Sequence, residues 1–197
     1  MEERILPEEH FWETIGPETL FVGSYHKVSQ DYIGEFFKGK TGSVIDMGCG
    51  PGRKSFISEY PGLDYTGVDH SLNFITYCRE NWPEATFILS SIEKVDLPDK
   101  SFDYSFCSGV LEHLEYYEKA ISEMVRLARK EILIFGWGTL QAKDIITRDA
   151  VCHNNYYGSD KLIDFLHSFP EVRLINESIV PDSGGRGDSS VLFIELK

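Results

Sequence analysis

The sequence predicts an α/β protein built on a mostly parallel sheet, and three observations carry that prediction. From residue 43 to 136, short apolar strand-like stretches alternate with helical ones. One of the stretches, Ile132-Leu133-Ile134-Phe135, is apolar without interruption, as a strand covered on both faces must be. The first, residues 43–47, runs into Gly48-Cys49-Gly50-Pro51-Gly52, a turn with glycine at alternate positions. Such a turn lets backbone approach a ligand closely. The helix expected after it aims free N–H groups and a positive dipole end at the same place. An anionic group suits the turn and a cation suits Asp46 beside it, so a ligand carrying both charges, such as an amino acid, is the natural occupant.

At 197 residues a single domain is expected, large enough for a substantial core. The formal charge of −13 excludes a broad nucleic-acid footprint, which needs a basic face against phosphates. Only Arg126, Arg129 and Lys130 crowd together, and they read as one end of a helix. The start Met1-Glu2-Glu3-Arg4 is unlike a secretory signal, and no apolar run approaches the ~20 residues of a membrane span. Cys49, Cys78, Cys107 and Cys152 are too widely spaced for a zinc site or a disulfide framework, and read as reduced thiols of a cytoplasmic protein.

Taken in order, residues 1–30 are acidic and aromatic. His10-Phe11-Trp12, Leu20-Phe21-Val22 and Tyr25-His26 supply either a helix packed on the core or a helical lid over a site. Residues 28–37 repeat apolar side chains at helical spacing and stop at Gly39. Strands follow at 43–47, 65–69, 86–89, 102–108 and 131–136, and helices at 53–60, 72–81 and 116–128. Residues 137–157 are irregular and carry Trp137, His153, Asn154, Asn155, Tyr156 and Tyr157. Ser159-Asp160 is expected to cap a helix over 161–169, which Pro170 stops. Strands at 172–180 and 190–196, with only the turn 181–188 between them, should pair antiparallel.

The glycine turn is not the dinucleotide fingerprint. Arg53 stands where a count from Gly48 requires Gly or Ala, and a count from Gly50 meets Ser55. Asp69 closes the second strand, 19 residues after Gly50. A ribose-binding acid falls about 20 residues after such a turn, where its carboxylate accepts from vicinal hydroxyls. The competing role of helix cap falls to Ser71.

These stretches match a family. Val44-Ile45-Asp46-Met47-Gly48-Cys49-Gly50-Pro51-Gly52, Gly67-Val68-Asp69-His70-Ser71, Leu97-Pro98-Asp99-Lys100-Ser101-Phe102-Asp103 and Gly109-Val110-Leu111-Glu112-His113-Leu114 occur in order. Together they resemble the class I S-adenosylmethionine-dependent methyltransferases, most strongly over 43–136. The resemblance implies a Rossmann-like, seven-stranded, mostly parallel sheet with helices on both faces and an antiparallel last strand. It implies a cofactor-binding half at 43–136 between the N-terminal lid (1–40) and an acceptor-side segment with a closing hairpin (137–197). S-adenosylmethionine is the implied cofactor and S-adenosylhomocysteine the product. Asp46 is implied to contact the ammonium, while Met47, Gly48, Gly50 and Gly52 border the methionine part. Asp69 holds the ribose, His70 lies against the adenine, and Ser91 and Ile92 reach its edge. Ser108 sits by the transferable methyl group. Many relatives carry an acid where this chain has Ser91.

Methyl transfer from a sulfonium needs alignment above all, because the thioether leaves without protonation. An acceptor that carries a proton also needs a base near neutral pKa, and histidine suits that. His113, after the fourth strand, and His153, in the irregular segment, are the candidates, with orientation of a loop as the competing role of each. Trp12, Tyr25, Trp137, Asn154 and Tyr157 are the candidate acceptor contacts. Some relatives acting on sugars share a His-Asn-x-Tyr stretch and a His-Phe-Trp near the start, which implies a glycan acceptor. The expected acceptor is a small molecule, methylated on oxygen or nitrogen. A protein acceptor and a regulatory subunit that holds the cofactor without catalysis stay open. A nicotinamide dehydrogenase is disfavoured by Arg53 and by the charge of Asp46. No metal set is visible: Glu112, Glu115 and Glu118 read as a solvated helix start. Arg186-Gly187-Asp188 reads as a glycine-rich hairpin, and the Asn176-Glu177-Ser178 sequon lies in an expected strand.

Overall fold

A computed structural model describes residues 8–20, 24–52, 60–136, 138–148, 152–181 and 188–197. Seven strands form one sheet: β1 (Gly42–Met47), β2 (Leu63–Asp69), β3 (Thr86–Leu89), β4 (Phe102–Ser108), β5 (Ala128–Phe135), β6 (Val172–Val180) and β7 (Ser189–Leu196). Their order is β3-β2-β1-β4-β5-β7-β6. The pairs from β3 through β5 are parallel, and β7 runs antiparallel to both β5 and β6. The sheet is therefore the mostly parallel one expected, with β7 as its reversed strand.

Alternation along the strands decides which layer each side chain enters. Ile45, Met47, Cys107, Ile132 and Ile134 face α4 (Glu118–Leu127) and α5 (Ser159–His167). Val44, Phe106, Leu133 and Phe135 face α2 (Ser24–Phe37) and α3 (Leu72–Asn81). Helices thus cover both faces, which is why Ile132–Phe135 tolerates no polar residue. A short α1 (Glu8–Thr14) precedes α2.

Several local expectations are corrected. Strand β5 begins at Ala128, because Phe102 pairs with Ala128 before a bulge shifts the register. The basic trio is accordingly split: Arg126 ends α4, while Arg129 and Lys130 lie in β5 and pair with Asp103. Helix α5 starts at Ser159 itself. Gly158 precedes it as N-cap without a side-chain capping bond, so Ser159 and Asp160 form the first turn and do not cap it. Glu112 is buried in the 3-10 turn Leu111–His113, not solvated. The expected helix at 53–60, apart from residue 60, and the turn at 182–187 lie outside the described residues, as do Trp137 and the side chain of Tyr25. Among the described residues no helix is long and apolar enough to cross a membrane, and no metal-binding group is found.

Candidate active site

Strand order reverses between β1 and β4, so their carboxyl ends diverge and leave a crevice where ligands of such sheets bind. A cavity of about 640 Å³ opens there. Its wall takes Gly48 and Gly50 from the turn after β1, and Asp69 and His70 from the end of β2. Ser91, Ile92 and Glu93 come from the loop after β3, and Gly109, Val110 and His113 from beyond β4.

The glycine turn is wired to β2 through backbone. Gly48 N–H and Cys49 N–H both donate to Val68 O, at 2.8 and 3.0 Å. Gly48 has φ +81°, and a Cβ there would lie 2.6 Å from Val110, so only glycine fits without displacing the wall. Gly50 N–H donates to one oxygen of Asp69 at 2.8 Å, and Ser71 N–H to the other at 2.9 Å. Burial raises the Asp69 carboxyl above its ordinary range, and the backbone N–H groups of Ser71 and Gly50, with the His70 charge, oppose that rise. A carboxylate offers about four lone-pair directions, so these two bonds leave Asp69 able to accept from a ligand. Ser71 caps α3, its side chain accepting from Phe74 N–H.

Asp46 lies inside the sheet. It is fully buried, and Tyr65 Oη–H donates to its Oδ2 at 2.7 Å. Neither Asp46, Met47, Gly52 nor Ser108 belongs to the cavity wall. Met47 packs in the apolar core, and a Cβ on Gly52 would lie 2.7 Å from Trp82. Ser108 is buried, and Gly109 and Val110 form the wall beyond it.

His113, His153, Trp12 and Arg148 form another part of the wall, where the sequence leads us to expect the acceptor end. His113 Nδ1 lies 2.7 Å from the backbone oxygen of His153. A carbonyl only accepts, so Nδ1 carries the proton, and in the neutral ring Nε2 is the basic nitrogen. The Trp12 ring packs edge-on against His113, centroids 5.0 Å apart. Trp12 is held there because Glu13, next to it, accepts from Leu72 N–H at 2.6 Å and Asn73 N–H at 3.2 Å. Asn73 Nδ2–H returns a bond to Ile15 O at 3.0 Å. The N-terminal segment around Trp12 is therefore clasped to the first turn of α3, whose N–H groups have no partner within the helix.

Two expected acceptor contacts are placed elsewhere. Tyr157 Oη–H lies 2.6 Å from Leu111 O and 2.8 Å from Leu114 O, and burial pushes its phenol up. Asn154 donates its backbone N–H to Thr147 O at 2.9 Å, and its side-chain Nδ2–H points to Cys152 Sγ at 3.8 Å. Neither lines the cavity. They hold the irregular segment together, as does Asn155, whose Nδ2–H donates to Leu114 O at 2.6 Å. Sequence reasoning missed Leu20, Phe74, Glu115 and Arg148 in the wall. Glu93 is two residues from the expected Ser91 and was within reach of the same argument. Nothing in the sequence separates Arg148 from other exposed charges.

With this geometry in place, comparison with known proteins is direct. Residues 45–135 match the family model described as a methyltransferase domain. A malonyl-[acyl-carrier protein] O-methyltransferase of Salmonella typhimurium is 30% identical over 87 residues, covering 44% of this chain and 35% of that protein. The chain spans between 35% and 45% of the length of the first curated relatives it matches. Magnesium protoporphyrin IX methyltransferase from Synechocystis, solved with S-adenosylmethionine bound, superposes with TM-score 0.74 at 14% identity over 98% of each chain. The Burkholderia thailandensis 1,6-didemethyltoxoflavin-N1-methyltransferase superposes with TM-score 0.69 at 16% identity, over 89% of this chain and 79% of that one. It was solved with 1,6-didemethyltoxoflavin and S-adenosylhomocysteine. Residues 45–135 thus resemble a methyltransferase domain, and the chain shares its fold with methyltransferases solved with S-adenosylmethionine or S-adenosylhomocysteine.

Proposed function

We propose that this protein transfers a methyl group from S-adenosylmethionine to an oxygen or nitrogen of a small molecule. The observation that carries the proposal is the single cavity wall in which Gly48, Gly50, Asp69 and His70 meet Trp12, His113 and His153. Its volume is within the ~300–1,000 Å³ of small-molecule sites. The cofactor fits two features: the side-chain-free approach at Gly48, and the remaining acceptor capacity of Asp69 for ribose hydroxyls.

When bound, the cofactor supplies an electrophilic methyl on a sulfonium. The residues of the chain have the roles of holding and aligning. Gly48 and Gly50 shape the seat of the methionine end, and the Asp46 carboxyl, behind the wall, acts on the ammonium through space. Asp69 takes the ribose, His70 lies against the adenine, and Ser91 and Ile92 border it. His113 receives the acceptor's proton at Nε2, because the His153 carbonyl keeps Nδ1 protonated. His153 and Trp12 complete the acceptor end. Tyr157 and Asn154 support it as scaffold.

A sugar or glycan acceptor is the finer form of this proposal. It rests on the His153-Asn154-Asn155-Tyr156 stretch and on His10-Phe11-Trp12. The bond from Asn155 to Leu114 O offers a structural reason for part of the first stretch, so the two do not weigh equally.

The test is calorimetric titration with S-adenosylmethionine and S-adenosylhomocysteine, followed by transfer of radiolabelled methyl to a panel of hydroxy and amino acceptors. Saturable binding and enzyme-dependent transfer are expected. Binding of neither ligand would end the proposal, and binding without transfer to any acceptor would favour a regulatory subunit.

A further inference from the structure

The acceptor end contains one feature that the proposed function does not use. Arg148 lines the cavity at an exposed position, and its backbone pairs with that of His153 in an isolated antiparallel bridge. His153 in turn holds His113, which Trp12 covers. Arg148 therefore sits on the same patch as the residues proposed to receive the acceptor.

Its partners are what set it apart. In an acid-rich chain, with 32 Asp and Glu against 19 Lys and Arg, a guanidinium readily finds a carboxylate. Arg126 bonds Glu123 and Asp99, Arg129 bonds Asp103, and Arg173 pairs with Glu195. Arg79 donates to Phe87 O. Among the described residues, the Arg148 side chain has no hydrogen bond or ion pair. The acids that share the cavity wall leave it so: Asp69 is held by Gly50 and Ser71, and Glu93 lies 3.6 Å from Lys119. Glu115 is the remaining acid of the wall.

We propose that Arg148 is a specificity residue, and that the acceptor carries a carboxylate which this guanidinium grips at the mouth of the cavity. The inference rests on the methyltransferase reading above and names its substrate class. A planar guanidinium presents paired N–H donors that match a carboxylate fork to fork. One such cation balances a single negative charge. A phosphate dianion requires more donors, and the glycine turn that could supply them belongs to the cofactor end. The gripped carboxylate is distinct from the methylated atom, since oxygens that accept two N–H bonds from a cation are poor nucleophiles.

The test uses the full chain saturated with S-adenosylhomocysteine and ligand-observed NMR on matched probes. These are 4-hydroxybenzoate against 4-hydroxybenzamide, glucuronate against glucose, and phenyl phosphate. The expected result is that a carboxylate binds better than its neutral partner. Arg148→Gln should weaken that binding about tenfold, a modest factor because the site is exposed and screened. Arg148→Lys should fall in between, and high salt should weaken the wild type more than Arg148→Gln. S-adenosylhomocysteine affinity and melting temperature should be the same in all three proteins. Equal binding of acids and neutral partners, no binding of either acid, acid binding unmoved by Arg148→Gln, or an Arg148-dependent preference for phenyl phosphate would each overturn the proposal. Failure of S-adenosylhomocysteine to bind the wild type would instead overturn the methyltransferase reading.

Discussion

The two ends of the cavity are held by different kinds of bond. At the cofactor end, Gly48 and Cys49 are tied to Val68 through main chain alone, and Asp69 ties down Gly50 within the same strand pair. At the acceptor end, side chains do much of the holding, beside main-chain bonds such as Asn155 N–H to Glu112 O at 2.9 Å. Tyr157 and Asn155 fasten the irregular segment to Leu111 and Leu114, and Glu13 clasps the N-terminal segment to α3. Main-chain ties survive most substitutions, whereas a side-chain tie vanishes with one. The cofactor seat is thus robust to sequence change and the acceptor end is open to it, as variable loops on a rigid sheet commonly are.

The largest expected effect breaks the exception at the cofactor end, the side chain of Asp69. Asp69→Asn removes a charged acceptor, and S-adenosylhomocysteine affinity should fall roughly 10- to 100-fold, from the ~1.5–3 kcal/mol of hydrogen bonds to charged groups. Unchanged affinity in a calorimetric titration would remove Asp69 from the ribose site. The pH dependence carries two opposite signs. Burial raises the Asp69 carboxyl in the folded protein, so this group's contribution to ligand-free stability is present below the unfolded value of 3.8 and lost as pH rises through the folded value. Ribose hydroxyls donate to the ionised form, so cofactor affinity should instead fall as pH drops through the raised folded value. Melting and calorimetry across that window should diverge in the wild type, and Asp69→Asn should flatten both trends.

Tyr157→Phe tests whether the two ends are independent. It strips a donor from the Leu111 and Leu114 carbonyls, which should cost about 1–2 kcal/mol of stability. A lower denaturant midpoint with unchanged S-adenosylhomocysteine affinity is expected. A matching loss of affinity would show that the segment also shapes the cofactor seat. The smallest effect belongs to the N-terminal segment. Glu13→Gln retains one acceptor and loses the charge at the start of α3, a change of about 0.3–1 kcal/mol. Stopped-flow displacement should show S-adenosylhomocysteine leaving about two- to fivefold faster, with melting nearly unchanged. An unaltered release rate would separate the clasp from ligand exchange.

The same contrast explains what could be read in advance. Leu72–Asn81, Thr86–Leu89, Phe102–Ser108 and Val172–Val180 have the bounds that periodicity and turn residues assign to them. In Leu72–Asn81 and Phe102–Ser108, burial also follows the local pattern of apolar residues. The placement of Glu112 did not follow one. It belongs to a turn whose burial depends on residues far along the chain, including Asn155, whose N–H donates to Glu112 O at 2.9 Å. Tyr157 carries the residue type of a binding site, yet its hydroxyl meets the main chain of Leu111 and Leu114, a pairing that exists only after the segment folds back.

By itself, then, the chain's sequence determined the layered sheet, the reversed β7, the glycine turn and the acid that closes β2. These depend on strand and helix periods, and on backbone conformations that few residues adopt. Tertiary structure alone decided that Asp46 is buried against Tyr65, that Glu13 clasps the N-terminal segment to α3, and that Arg148 meets His153 and His113 at one cavity. Those depend on contacts between residues far apart in the chain, which no local pattern encodes.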